Sequence, residues 1–240
     1  MIRYCQLNFP ASLDNLSDDL TRLNHRDWNL HMNTAHYQGD WNILSLVSPG
    51  GNNTPYPDPL QEEEFLPTPL LGQTPEIRRI LSHLHCPLRS VRLMKLQAGA
   101  RILRHRDKEL SFEHGEARLH IPLQTNPEVD FMLDGERLPM QTGECWYINA
   151  NLYHSVENKG ETDRIHLVID CEVNHWLTAL FSSPVRISLK EEEEDPERQR
   201  AVIESLYLLG TETALRLAKE MEGTLSAHNT DHTTGNKDLS

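Results

Sequence analysis

Long apolar runs, clustered cysteines and a basic excess are all missing from this chain of 240 residues. A membrane helix needs ~18 or more consecutive apolar residues; no stretch comes near that, so neither a membrane span nor a membrane partner is expected. There are only four cysteines, Cys5, Cys86, Cys145 and Cys171, scattered and without a CxxC pair. That excludes a disulfide framework and leads us to expect reduced thiols in a cytoplasmic protein. Lysine and arginine number 23 against 36 acidic residues, a formal charge of −13, which disfavours a general nucleic-acid binder. Part of that excess lies in the run Glu191 to Asp195, read as a solvated face or linker that says little about any site. The opening MIRYCQLNFPASLDNL has neither the apolar core of a signal peptide nor the basic, acid-poor character of a transit peptide.

What is present suggests one domain with its own core and a helical appendage. Leu13, Leu16, Leu20 and Leu23 recur at helical spacing over about residues 11–25, with Ser12 or Asp14 available as caps. Extended pieces around a Gln38-Gly39-Asp40 turn follow, then a Pro-, Gly- and Asn-rich loop over Ser48 to Gln73. TPEIRRILSHLH predicts a helix with Thr74 as N-cap and Pro75 in its first turn. From Ser90 the period becomes two, and at least six short strands separated by turn signals such as Asp134-Gly135 predict an antiparallel barrel or jelly roll. Two helices are expected near 196–210 and 212–223, where Leu206, Leu209, Thr213 and Leu217 form a face suited to a homodimer, and then a polar tail.

Against this background His105-Arg106-Asp107, then His154, then Arg164 is the most informative pattern. On extended chain, residues two apart project the same way, so His105 and Asp107 point together. His154 opens a later strand, 47 residues beyond Asp107, and a rolled sheet can bring the two together. Two neutral imidazoles and one carboxylate suit Fe(II) and leave three positions open. Arg164, His166 and Val168 share one face of DRIHLVID; an inward arginine there is costly unless an anion meets it. A guanidinium binds a dicarboxylate bidentately. Arg118 and His120 share a face in ARLHIPL and are candidate carboxylate binders; a buried His–carboxylate pair is the other reading of His120. Arg92 is either a further clamp or an exposed strand residue, and Trp41 either a pocket wall or a core residue.

The segments RHRD, ARLHIPLQTN, GECWYINANLYHSVEN and RIHLVIDCE, over about Arg92 to Glu172, resemble the aspartyl/asparaginyl β-hydroxylase-like family of Fe(II)/2-oxoglutarate dioxygenases, and within it the bacterial free-proline cis-hydroxylases. The resemblance implies a mainly β fold, a double-stranded β-helix (jelly-roll or cupin-like barrel) with flanking N- and C-terminal helices. A dioxygenase domain is thus expected over 1–185; the C-terminal helical segment expected over 186–223 and the disordered tail over 224–240 come from the residue pattern, and the region after about 185 has no counterpart in the resemblance. By position, His105, Asp107 and His154 would be both iron ligands and catalytic centre. Arg164 and His120 would hold 2-oxoglutarate, and Arg118, Arg92 and Trp41 would hold the substrate. Fe(II), 2-oxoglutarate and O₂ are the implied cofactors, with ascorbate helpful. The implied reaction hydroxylates an unactivated C–H of a free proline-like or other small amino acid and releases succinate and CO₂. Asp107 sets the chain apart from the animal members of the family, which lack the carboxylate ligand.

Three other readings stay open on the sequence: a hydroxylase acting on an aspartyl, asparaginyl or other residue in a peptide or on a carrier, a cupin-like metal-binding or sensor domain without turnover, and a zinc hydrolase. The last gives no role to Arg164.

Overall fold

The structure, a computed structural model, describes residues 1–9, 14–23, 28–53, 64–107, 110–190 and 196–231. The expected cap Ser12, the middle of the proline-rich loop, the acidic run 191–195 and the last part of the tail lie outside these residues. The chain divides into two compact units, Met1–Lys190 and Glu191–Ser240.

The first unit is built on two antiparallel sheets. Its larger sheet runs β14 (Arg186–Leu189), β1 (Ile2–Leu7), β11 (Cys145–Ile148), β8 (Glu116–Gln124), β13 (Arg164–Glu172), β6 (Leu88–Leu96), β4 (Trp41–Pro49) and β2 (Asn29–Leu30), with β5 (Phe65–Pro67) also paired to β4. The smaller sheet runs β10 (Glu136–Leu138), β9 (Val129–Leu133), β12 (His154–Asn158), β7 (Arg101–His105) and β3 (Tyr37–Gln38). From β6 to β13 the chain alternates between sheets: β7, β9, β10 and β12 belong to the smaller one, and β8, β11 and β13 to the larger. This winding is a double-stranded β-helix whose sheets face each other as a jelly roll without closing into a barrel.

Side-chain alternation produces two cores from one sheet. On β13, Ile165, Leu167 and Ile169 enter a core beneath the helices, together with Leu119 and Ile121 of β8 and Leu93 of β6. That core also takes Leu16 of α1 (Leu16–Arg22), Ile77 and Ile80 of α2 (Pro75–Ser82), and Leu177 and Phe181 of α3 (His175–Phe181). The opposite parity, Met94, Leu96, Trp146, Ile148 and Val168, meets Ile102, Phe131, Leu133 and Val156 of the smaller sheet in a second core. A sheet covered on both faces explains why its strands read as nearly continuous apolar runs. Each fully buried Leu or Ile contributes ~1.5–3 kcal/mol. The polar residues of inward parity, Arg92, Arg118, His120, Arg164, His166 and Asp170, therefore stand out against that background.

Local expectations are refined in four places. Thr74 is the N-cap residue of α2, as expected, but its side chain makes no capping bond: its hydroxyl donates to the carbonyl of Leu71 (3.1 Å), and Asp19, carried in by α1, accepts the N–H of Ile77 (2.8 Å). The cap of α1 is Asn15, in left-handed conformation (φ 60°). The loop expected over 48–73 is in part sheet, because Val47, Ser48 and Pro49 pair with Pro67, Leu66 and Phe65. Residues 186–189 are an edge strand on β1, not part of a helical segment.

In the second unit, α4 (Pro196–Leu209) and α5 (Glu212–Asp231) form a helical pair, α5 running beyond residue 224. Leu209 and Leu217 of the expected dimer face are exposed. Among the described residues no helix is long and apolar enough to cross a membrane. All four cysteines are buried and unpaired.

Candidate active site

β7 ends where β12 begins, so that His105 and His154 are direct cross-strand partners. Just past the end of β7, the N–H of Asp107 donates to the carbonyl of Ala150 (2.8 Å), in the turn that leads to His154. The candidate ligand atoms of His105, Asp107 and His154 all lie within 4.8 Å of one another.

The backbone selects the imidazole tautomers. Nδ1 of His105 is 2.7 Å from the carbonyl oxygen of Leu103, and Nδ1 of His154 is 3.0 Å from that of Leu152. A carbonyl only accepts, so each Nδ1 carries the proton and each Nε2 offers its lone pair. Burial, then the neighbouring His105, lowers the pKa of His154 to about 4, so it is neutral at pH 7, as a metal ligand must be. Burial alone would raise the pKa of Asp107, but Arg118, His154 and His105 outweigh it and hold the carboxyl below its ordinary range. Two imidazole nitrogens and one anionic oxygen converge, a donor set that suits Fe(II) and leaves positions open.

The three open onto a cavity of about 460 Å³ whose walls include Trp41, Met94, Phe131 and Val168 and whose lining arginines are Arg92, Arg106, Arg118 and Arg164. Arg164 is 2% exposed. One of its terminal nitrogens donates to Nδ1 of His166 (2.7 Å), while its Nε is buried without a hydrogen-bond partner. No ion pair joins it to a carboxylate among the described residues, and burial lowers its pKa to about 9. At pH 7 it is still a cation, desolvated and facing a cavity, which is a fit for an incoming carboxylate.

His120 is equally under-used. It is 6% exposed, neither ring nitrogen has a hydrogen-bond partner, and burial followed by Arg164 and Arg118 keeps it neutral. It therefore has an N–H to offer a carboxylate oxygen inside the cavity. The reading of His120 as half of a His–carboxylate pair does not hold.

Arg118 and Arg92 share a partner that the sequence analysis did not single out. Asp170 accepts Nε of Arg118 at 2.7 Å and its terminal nitrogen at 2.9 Å, and also accepts from Arg92. Arg118 reaches Asp107 with its remaining nitrogen. Asp170 continues the parity of Arg164, His166 and Val168, a signal sufficient to have marked it. Trp41 is 6% exposed and is both core and cavity wall. Its ring stacks on His31 at 3.7 Å and 4°, and His31, Asn33 and His36 add a polar wall that was also not anticipated. The expected turn before Trp41 is required sterically: Gly39 has φ +80°, and a Cβ there would lie 2.7 Å from that of Ala100.

The family described as Aspartyl/Asparaginyl beta-hydroxylase matches residues 11–174, more than half the chain. The chain is similar to the L-proline cis-4-hydroxylase of Rhizobium meliloti (strain 1021), 31% identical over 123 residues that make up 47% of this chain and 44% of that protein. The match thus spans less than half of the relative's length. Among solved structures it is similar to a Pseudomonas putida prolyl-4-hydroxylase, at 14% identity and a TM-score of 0.45, covering 72% of this chain and 94% of that one. It is also similar to a 2OG-Fe(II) oxygenase family oxidoreductase from Burkholderia pseudomallei, at 13% identity and a TM-score of 0.45, covering 68% and 81%.

Proposed function

This chain belongs to the aspartyl/asparaginyl β-hydroxylase family, and from that premise we propose that it is an Fe(II)- and 2-oxoglutarate-dependent dioxygenase that hydroxylates an unactivated C–H of a free, proline-like or other small amino acid. One observation carries this reading beyond metal binding. Arg164, a buried cation without a carboxylate partner among the described residues, opens onto the same cavity as the ligand atoms of His105, Asp107 and His154. A zinc hydrolase or a bare metal-binding domain has no use for it.

In this reading His105, Asp107 and His154 hold the iron. Arg164 takes the distal carboxylate of 2-oxoglutarate, and His120 donates to the carboxylate nearer the metal. Bound there, iron and co-substrate supply O₂-dependent oxidation of a C–H, with release of succinate and CO₂. The chain's own contribution is placement and an apolar surround: Met94, Phe131, Val168 and Trp41 line the same cavity as the arginines and the ligand residues.

Charge favours a substrate bearing a carboxylate. Arg92 and Arg118 line the cavity with Trp41; Asp170 lies between them, and Arg118 also reaches Asp107, whose charge a bound metal would share. In this reading the two guanidiniums take the carboxylate of a free amino acid, held against Trp41. An internal peptide residue brings no carboxylate for them.

The test is a succinate-release screen of free amino acids and short peptides with Fe(II), ascorbate and 2-oxoglutarate, followed by mass spectrometry. We expect a free amino acid to gain one oxygen with stoichiometric succinate. Succinate release with none of these substrates would sink the proposal if 2-oxoglutarate also failed to bind.

A further inference from the structure

Arg118 is an unusual neighbour for a metal ligand, because each of its three nitrogens donates to a carboxylate. Nε and one terminal nitrogen lie on the two oxygens of Asp170, at 2.7 and 2.9 Å, and the other terminal nitrogen lies on Oδ2 of Asp107. A guanidinium is planar and rigid, so fixing two of its nitrogens fixes the third. Asp170 and Arg118 are Cα partners on adjacent strands of the larger sheet, whereas Asp107 follows β7 of the smaller one. The chain of contacts therefore crosses from one sheet to the other. Arg92 braces it from the far side by donating to Oδ2 of Asp170.

We propose that Asp170 is a positioning residue for the metal centre: it fixes Arg118, and Arg118 holds Asp107 by Oδ2, so that Oδ1 faces the Nε2 atoms of the two histidines. Oδ1 of Asp107 lies 3.9 Å from Nε2 of His105, while Oδ2 takes the guanidinium. The inference rests on the metal-centre reading above and adds a residue to it that touches neither metal nor substrate. Electrostatics agree. Burial alone would raise the pKa of Asp170, but Arg118 and Arg92 bring it down to about 2, so it is a fixed anion throughout the neutral range. An alternative role, mere neutralisation of two arginines, would leave the geometry at Asp107 unaffected.

Mn(II) alone is the probe, titrated against the full chain and followed by electron paramagnetic resonance. Partners one step removed from a metal typically change affinity ~10–100-fold, and Asp170→Asn is expected to weaken Mn(II) binding by that order. The visible spectrum of the Co(II)-loaded variant should also shift, reporting altered ligation. Ile169→Val, on the opposite face of the same strand, is the control for general destabilisation and is expected to keep wild-type Mn(II) affinity. If Asp170→Asn does not fold, Arg118→Lys takes its place: one ammonium cannot grip both carboxylates, and the same loss is expected. Unchanged affinity and spectrum in a folded Asp170→Asn or Arg118→Lys overturn the proposal alone, as does an equal loss in Ile169→Val. A wild-type chain that binds no Mn(II) overturns the proposal and the metal-centre reading together.

Discussion

His105 and His154 are 49 positions apart in the sequence yet stand directly opposite each other on β7 and β12, their rings 4.3 Å apart and tilted by 55°. Each ring is held by the carbonyl two residues before it, so both Nε2 atoms are directed by backbone and not by chance rotamers. Replacing either histidine with alanine should lower divalent-metal affinity at least ~10–100-fold with little change in secondary structure. Calorimetric titration alongside circular dichroism checks this.

Arg164→Met should separate stability from function. It removes a buried cation that has no carboxylate partner among the described residues. Replacing buried charge with an apolar side chain of similar volume is often stabilising by roughly 1–4 kcal/mol. We expect the variant to withstand more denaturant than wild type without 2-oxoglutarate, and to lose the stabilisation that 2-oxoglutarate gives wild type. Urea titrations with and without the co-substrate measure both, and a less stable variant that still responds to 2-oxoglutarate would contradict this role.

Acid should destabilise the chelator-treated protein through His154. Its folded pKa, about 4, lies below the ordinary value of 6.5, so the unfolded chain binds the proton more readily. Stability from this group is complete above pH ~6.5 and is lost as pH falls towards 4. At ~1.4 kcal/mol per pH unit this amounts to roughly 3 kcal/mol. His154→Gln should flatten that part of the stability profile, measured by denaturant midpoints between pH 4 and 7.

Gly39→Ala should damage the cavity from a distance. The residue adopts φ +80°, and the added methyl would lie 2.7 Å from Cβ of Ala100. Backbone strain of this kind costs about 1–3 kcal/mol, and relief would displace Trp41 at the start of β4. Expected are a lower melting temperature and a higher KM for the amino acid, with 2-oxoglutarate affinity changed little. Trp41→Phe gives the comparison in which the ring is altered but the turn is not.

Much of the site was legible because it follows strand parity, a local property. His105 with Asp107, Arg118 with His120, and Arg164 with His166 each share a face by period two, and the turns around them are marked by glycine and asparagine. Contacts that depend on which strands become neighbours were not. Asp170 has the right parity, but its meaning comes from Arg118 on β8 and Arg92 on β6, which a single strand does not reveal. The same holds for β14, which is a strand because β1 offers it an edge, and for Asp19, which caps a helix 58 residues away by tertiary docking. His31 and Asn33 lie in a polar stretch whose only local signal is its extended spacing; their place on the cavity wall comes from the Gly39 turn.

The central claim is that one cavity binds Fe(II) at His105, Asp107 and His154 and 2-oxoglutarate at Arg164 together. An anaerobic titration of the protein with both, followed in the visible, tests it most directly. The account predicts a weak charge-transfer band that requires metal and co-substrate at once and is lost in Arg164→Met. A wild-type protein that binds Fe(II) but shows no such band at saturating 2-oxoglutarate would contradict it.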